Sequence, residues 1–347
     1  MHSNRKATAL SLIGLAAVLA GGAAFAAEPA PAAGNGQQPA RAPVEIVPYH
    51  VAGNVWLMAG EPSNVIVQMG EEGVLVVDTG IAPLADQLLA AIKKLAGDKP
   101  IRYVINTHMH GDHTGGNKVI REAGDTILDG NVARDRGNIP NGATVLAHEN
   151  VMIHMTEPDE KGPGGFKFSR DNWPTETHLE QVYSLHFNDE AVQMFHPKNA
   201  HTDGDYWVTF RRSDVVATGD LYFTNTYPVI DVANGGTING VLAAVNDIID
   251  YAVPDHQQEG GTLIIPGHGR IGDQSDLVEY RDMLTIIRDR VQDLIKKGKT
   301  LEQVKAAKPS SDYDGRFGAG TGMTSTDRFI ENVYNSLKPA PKGKAKK

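Results

Sequence analysis

The sequence predicts an α/β protein built as a four-layer αββα sandwich, and three observations predict it. Short β-branched runs alternate with amphipathic helical stretches along the chain, the pattern of a layered α/β architecture. The runs fall into two similar β-rich halves, each ending in histidine or aspartate. The densest polar cluster, His108 to His113, directly follows the strand-like run Ile101 to Asn106. Open α/β sheets place their ligand sites there, beyond the carboxyl ends of strands.

The two ends of the chain read as lying outside this fold. Arg5 and Lys6 precede an apolar run from Ala7 to about Ala20, and small residues follow up to Ala24-Phe25-Ala26. That is the make-up of a secretory signal peptide, residues 1–27. The run is shorter than the ~20 residues a membrane span needs, and no stop-transfer pattern follows. The mature chain is therefore expected to be periplasmic or secreted, with no membrane span after cleavage. Residues 28–44 are mostly Ala, Pro, Gly and Gln, too poor in bulky apolar side chains to offset the entropy of ordering, and read as a flexible linker. Residues 338–347 read as a basic, disordered tail. What remains, 45–337, is expected to form one domain.

Composition excludes several functions. The net charge is -9, and seven of the cations lie in the leader (Arg5, Lys6) and the tail (Lys338, Lys342, Lys344, Lys346, Lys347), so the body is more acidic than the whole chain. A nucleic-acid partner is not expected of such a surface. The chain has no cysteine, which removes disulfides, thiol nucleophiles and thiolate metal sites together. Any metal must be held by nitrogen and oxygen.

Within the body, Asn64 to Gln68 and Val74 to Asp78 form two β runs around Gly70-Glu71-Glu72-Gly73, a predicted hairpin. Leu84, Leu88, Leu89, Ile92 and Leu95 make a helical stripe that stops at Gly97. Ile101 to Asn106 is a buried-type strand, and a helix to about Glu122 follows the polar cluster. Gly162 to Trp173 has no period and reads as a long loop able to act as a lid. Strands are expected at Ala191 to Phe195, Tyr206 to Phe210, Val215 to Thr218 and Thr262 to Ile265, with a helix from about Ile238 to Tyr251. Three helices close the chain, at Leu277 to Ile295, Leu301 to Ala307 and Thr326 to Leu337.

His108-x-His110-x-Asp112-His113 concentrates imidazole and carboxylate within six positions. Such a neighbourhood gains little unless a cation satisfies it, so metal coordination is its natural reading. This run resembles the signature of the metallo-β-lactamase superfamily. His201 in Ala200-His201-Thr202-Asp203-Gly204-Asp205 resembles the third imidazole motif of that family, Asp220 in Thr218-Gly219-Asp220-Leu221 its bridging carboxylate, and His268 in Pro266-Gly267-His268-Gly269 its last ligand.

The resemblance implies two metals. One is held by His108, His110 and His201, the other by Asp112, His113 and His268, with Asp220 and a hydroxide between them. Nitrogen and oxygen donors of this mix suit two Zn²⁺ best, with Fe or Mn as alternatives. The implied activity is a dinuclear zinc hydrolase whose bridging hydroxide cleaves the carbonyl of a small-molecule ester, lactone or thioester, with Asp112 able to carry a proton to the leaving group. The family's β-lactamases usually have Cys or Ser at the position of Asp220, which argues against efficient β-lactam turnover. β-Lactam hydrolysis and a non-catalytic periplasmic metal-binding accessory role are the alternative functions.

Three further residues have open roles. Asp78, at a strand end, is either a carboxylate that orients a ligand imidazole or a turn aspartate. His148 is either a structural residue or a substrate contact; it stands six positions before His154, not four, so a zincin helix is excluded. Tyr222 either points at the site, as a tyrosine does in lactone-cleaving relatives, or belongs to the core. Phe166, Phe168, Trp173, Tyr222, Phe223 and Tyr227 are candidate pocket walls.

Overall fold

A computed structural model describes residues 45–60, 62–125, 142–156, 168–257 and 260–338. The expected signal peptide and linker, the tail beyond Lys338 and positions 162–167 of the expected lid lie outside the described residues.

The first half forms a sheet of seven strands in the order of the chain: β1 (Val47–Ala52), β2 (Val55–Ala59), β3 (Val65–Met69), β4 (Val74–Val77), β5 (Ile101–Ile105), β6 (Thr144–His148) and β7 (Glu176–His178). β1 to β4 are an antiparallel meander, whereas β4, β5, β6 and β7 are parallel. The parallel steps carry helices as crossovers: α1 (Ala85–Ala96) between β4 and β5, then α2 (Gly111–Thr114) and α3 (Asn117–Glu122) between β5 and β6. α4 (Glu149–Thr156) follows β6.

The second half forms a sheet of five strands from β8 (Val182–Phe187), β9 (Glu190–Phe195), β10 (Trp207–Phe210), β11 (Val215–Ala217) and β12 (Leu263–Ile265), ordered β12-β11-β10-β9-β8. β11 and β12 are parallel and joined through α5 (Ile238–Tyr251). α6 (Gln274–Lys296), α7 (Leu301–Ala306), α8 (Asp314–Phe317) and α9 (Thr326–Leu337) follow.

The side-chain period of two explains the layering. In β4, Leu75 and Val77 face the second sheet and pack with Phe187, Val192, Val208, Phe210 and Ile265. Val74 and Val76 face the other way, against Leu88 and Ile92 of α1 and Ile120 of α3. Both faces are buried, so the strand reads as one continuous apolar run. The outer face of the second sheet repeats the arrangement: Val216 and Ile264 pack with Val241, Val245, Leu284, Ile287 and Val333 of α5, α6 and α9. The layers are therefore helix, sheet, sheet, helix, the expected αββα sandwich.

The expected β3, β4, α1, β5, β9 to β12, α5, α6, α7 and α9 are all present, their ends shifted by no more than three residues. β1, β2, β6, β7 and β8 have no counterpart in the sequence reading. β8 alternates exposed and half-buried residues on a sheet edge, and β7 is three residues long, so neither presents the dense β-branched run that marks a central strand. The basic tail was read from Lys338, but the Nζ of Lys338 sits 4.3 Å from the ring centroid of Tyr334.

Candidate metal centre

The carboxyl ends of β4, β5, β11 and β12 deliver the site. Asp78 immediately follows β4, and His108 to His113 lie in the connection from β5 into α2. Asp220 comes three residues after β11 and His268 three residues after β12, whereas His201 arrives on the connection from β9 to β10. Two glycines make the approach possible. Gly219 takes φ +51, and a Cβ there would sit 2.8 Å from the Cβ of Thr107. A Cβ at Gly267 would lie 2.1 Å from Oδ1 of Asp220, so only glycine lets the His268 loop pass this carboxylate.

The seven residues converge. Ligand atoms of His108, His110, His201 and Asp220 lie within 4.8 Å of one another, as do those of Asp112, His113 and His268. Nε2 of His201 is 3.0 Å from Nδ1 of His110, and Nε2 of His113 is 3.4 Å from Nε2 of His268. Such spacings match the edges of a tetrahedron with metal bonds of ~2.0–2.1 Å. Asp220 faces both groups. Its Oδ2 is 3.8 Å from Nε2 of His108 and 3.7 Å from Nε2 of His201, and its Oδ1 is 3.2 Å from Nε2 of His113 and 3.4 Å from Nε2 of His268.

Each imidazole is held by its far nitrogen. His113 donates from Nδ1 to Oδ2 of Asp78 at 2.7 Å. The Thr107 hydroxyl donates to the same oxygen at 2.7 Å, which leaves it to accept from Nδ1 of His108 at 3.1 Å. Asp78 thus sets two ligands, His113 directly and His108 through Thr107, and it also accepts from the Thr107 amide at 2.8 Å. His201 donates from Nδ1 to the Val229 carbonyl at 2.8 Å, and His268 to the Pro62 carbonyl at 2.9 Å. His110 is turned round: its Nε2 meets Oδ2 of Asp231 at 2.9 Å, so Nδ1 faces the centre. With every far nitrogen engaged, one lone pair per ring points inward.

Two of the inward atoms lack a hydrogen-bond partner. Nε2 of His108 and Oδ1 of Asp220 are buried with no hydrogen bond. A buried, unsatisfied donor set of imidazoles and carboxylates is what a divalent cation satisfies, so the residues fit a metal. The protein's own charge shows the same demand. Burial opposes ionisation of Asp220, yet His268 and His113 beside it hold its carboxyl well below the usual range. Burial likewise opposes a charged His268, but Asp220 and Asp112 push its pKa up to about 10. His113 is held well above its ordinary value by Asp220, Asp78 and Asp112 despite its burial. In the other group burial dominates, keeping His201 at about 4 and His108 well below its usual value, both as neutral ligands.

The site opens on one side into a cavity of ≈ 440 Å³. It is lined by His110, Asp112, Asp220, Asp231 and His268 together with Phe223, Thr226, Val229, Met323 and Thr324. Asp112 (35% exposed) and His268 (27%) are the most open ligands, whereas His113 and His201 are sealed.

The open roles now resolve by position. Asp78 accepts from His113 directly and reaches His108 through Thr107, so it is more than a turn aspartate. Tyr222 is a core residue, 1% exposed, with its ring 5.1 Å from that of Tyr280. Its extended backbone sends Phe223, the next side chain, to the opposite side and into the cavity. His148 does not line the cavity: it ends β6 and stacks on His196, ring centroids 3.6 Å apart. Phe168 and Trp173 pack against Met109, Val151 and Met155, and Tyr227 stacks on Phe329. Phe223 is thus the one expected aromatic wall found at the cavity among the described residues; Phe166 lies outside them. Sequence reasoning missed Asp231, Thr107, Val229 and Met323. None stands in a ligand-like spacing, so only their distance from the cluster marks them.

A model of the metallo-β-lactamase superfamily matches residues 58–307. A metallo-β-lactamase type 2 of Bacillus cereus is 24% identical over 241 residues, covering 67% of this chain and 79% of that protein. Another from Bacillus sp. (strain 170) is 23% identical over 240 residues, with the same coverage. Among solved structures, a stereoselective inverting sec-alkylsulfatase from Pseudomonas sp. superposes with a TM-score of 0.61 at 16% identity, covering 84% of this chain and 50% of that one. This chain thus spans about half the length of the sulfatase. The metallo-β-lactamase DIM-1 superposes with a TM-score of 0.50 at 17% identity, covering 70% of this chain and 97% of that one. These superpositions concern the fold.

Proposed function

Because this chain belongs to the metallo-β-lactamase superfamily, we propose that it is an exported hydrolase that holds two divalent cations, Zn²⁺ before Fe or Mn, and cleaves the carbonyl of an ester, lactone or thioester. The observation that carries this reading is the Asp220 carboxylate, which turns one oxygen to His108 and His201 and the other to His113 and His268. Two cations held by these residues would supply Lewis acidity toward the carbonyl oxygen and would lower the pKa of water toward ~7, making hydroxide available at neutral pH.

The chain's own residues do the rest. His108, His110 and His201 hold one cation, Asp112, His113 and His268 the other, and Asp220 reaches both. Asp78 and Asp231 fix the ring orientations, so no ligand has to reorganise during reaction. Asp112 sits at the open edge of the cluster, where its carboxylate can take a proton and pass it to the departing oxygen, nitrogen or sulfur. The apolar lining of Phe223, Val229 and Met323 limits the access of bulk water to the acyl group. The expected signal peptide supports export to the periplasm or beyond. No helix among the described residues is long and apolar enough to cross a membrane.

β-Lactam hydrolysis is the second reading, favoured by the names of the two Bacillus relatives. The complete and preorientated ligand set speaks against a non-catalytic accessory role. Purified from Glu28, the chain is expected to carry about two metals by mass spectrometry and to hydrolyse members of a panel of lactones, thioesters and esters, with activity lost to chelators. Absence of stoichiometric metal overturns the proposal. Two metals with no turnover on the panel move the weight to an accessory role, and preferential β-lactam turnover establishes the second reading.

A further inference from the structure

We infer that the substrate of this site carries an uncharged, apolar group seated against Val229 and Met323, and that Met323 selects against substrates bearing a second, anionic group; this rests on the hydrolase reading above. Beyond the ligands, the cavity wall is Phe223, Thr226, Val229, Met323 and Thr324, and no lysine or arginine lines it among the described residues. The cations close in sequence to the last ligand and to Met323 are engaged elsewhere, Arg328 with Glu331 at 3.4 Å among them. Arg270 makes a two-pronged pair with Asp276 at 2.6 and 2.8 Å, and Arg316 pairs with Glu279 at 2.5 Å. The carboxylates that line the cavity are Asp112, Asp220 and Asp231, and its other titratable lining groups among the described residues are the imidazoles of His110 and His268.

A substrate with a carboxylate remote from its scissile bond would have to set that group against Val229 and Met323, where no lysine or arginine among the described residues replaces its hydration. Such burial is costly. An uncharged acyl chain gains from the same contact. The wall is also fixed relative to the metal ligands. The Val229 carbonyl accepts from Nδ1 of His201, so the Val229 side chain and the ligand belong to one piece of structure. Phe223 lies nearly parallel to the His268 ring, 15° apart with centroids separated by 5.4 Å.

Met323 lines the cavity from the short helical turn Gly322–Thr324, between α8 and α9. It is 41% exposed, one of few large apolar side chains left open to water. A flexible thioether in that position adapts to aliphatic groups of different shape. It also lies beyond residues 58–307, the part matched by the superfamily, so this wall belongs to the C-terminal helices of this chain.

The test uses the mature, zinc-loaded chain and two p-nitrophenyl esters with one leaving group, the neutral hexanoate and the anionic hemisuccinate. Wild type is expected to favour the hexanoate by roughly ten- to a hundredfold in kcat/KM, the scale of an unpaired buried charge. Met323→Lys should cut that ratio at least about tenfold by raising hemisuccinate turnover, and Met323→Leu should keep it, the size expected for gaining one charge partner. Calorimetric binding of hexanamide and of succinamate, which need no turnover, should change in the same sense between wild type and Met323→Lys. Because any direct hold of the carboxylate by the metals is common to both proteins, the change isolates the wall. A ratio unmoved by Met323→Lys in a protein with unaltered circular dichroism overturns the inference and leaves the hydrolase standing. The binding shift without turnover of either ester, or of the wider panel, supports the wall and overturns the hydrolase.

Discussion

Asp231 and Asp78 do similar work from opposite sides of the centre, and the sequence exposes only one of them. Asp78 ends a legible strand and could be named as a candidate. Asp231 sits between Ile230 and Val232, eleven residues after Asp220, and nothing local distinguishes it. Removing the acceptor from a ligand imidazole costs about 10- to 100-fold in metal affinity. Asp231→Ala is therefore expected to weaken metal binding by that factor in a competition titration against a chelator. Asp231 also accepts from Asn234 Nδ2 at 2.7 Å, so Asn234→Ala serves as control and should leave the affinity nearly unchanged. Gly267 offers a sharper test. A methyl there meets the Asp220 carboxylate at 2.1 Å, so Gly267→Ala must move the carboxylate or the His268 loop. Displacements on the order of 1 Å cost about 10²-fold in catalysis, and a comparable fall in kcat/KM on the best panel substrate is expected, with the circular dichroism spectrum retained. Unchanged kinetics would exclude the close fit described above.

At the scale of elements, legibility follows burial on two faces. β4 and β11 are covered by a helix layer on one side and the other sheet on the other, so their sequences are unbroken apolar runs, and β5 and β10 depart from that only at Arg102 and Thr209. β1, β7 and β8 lie at sheet edges, where one face or one rim meets water and the run dissolves into mixed residues. β6 escapes for another reason: it ends in His148, a residue that draws attention as chemistry when its role is packing. His148 stacks on His196 and meets the edge of Tyr206, while Asp203 and Glu149 are its nearest acidic neighbours. Burial and the facing His196 lower the His148 pKa to about 4, and burial lowers His196 as well. The folded state thus prefers both rings neutral. The stability this preference contributes is complete above the unfolded-state value of ~6.5 and is lost as pH falls through about 4. In urea unfolding between pH 7 and 4.5, His148→Phe should show a shallower decline in stability than wild type. An identical decline would mean the pair titrates as in the unfolded chain.

For the molecule as a whole, the inter-sheet core carries the site as well as the stability. Phe210 is fully buried between the sheets, and Phe210→Ala is expected to cost about 3–5 kcal/mol in chemical denaturation, a cavity and transfer penalty together. Metal binding bears on the same balance, because ions that bind only the folded chain stabilise it by mass action. Chelation should accordingly lower the melting temperature, by a shift that grows with the free metal concentration of the starting sample. His113 and His268 must be deprotonated to ligate, and both have raised pKa values, His268 up to about 10. Metal uptake at pH 7 is therefore expected to release protons, measurable as a buffer-dependent heat, and the affinity should fall as the pH falls. Uptake with no proton release would contradict the assignment of His268 as a ligand.

The sequence by itself determined the layers, because two-faced strands and amphipathic helices advertise their burial in period and composition. It also marked the seven residues that the fold brings together, the crowded run His108 to His113 by its own composition and His201, Asp220 and His268 by their resemblance to the family's motifs. Tertiary structure alone decided which side chains hold those ligands and which face the substrate. Asp231 reaches His110 across 121 positions, Val229 reaches His201 across 28, and Met323 comes to the cavity from the C-terminal helices. Such pairings depend on how two sheets and their loops close on one another, and local periodicity carries no trace of a contact made between distant elements. Tyr222 and Phe223 show the same limit within a single step of the chain. Both are aromatic and adjacent, and only the direction of one extended residue sends Tyr222 into the core and Phe223 to the site.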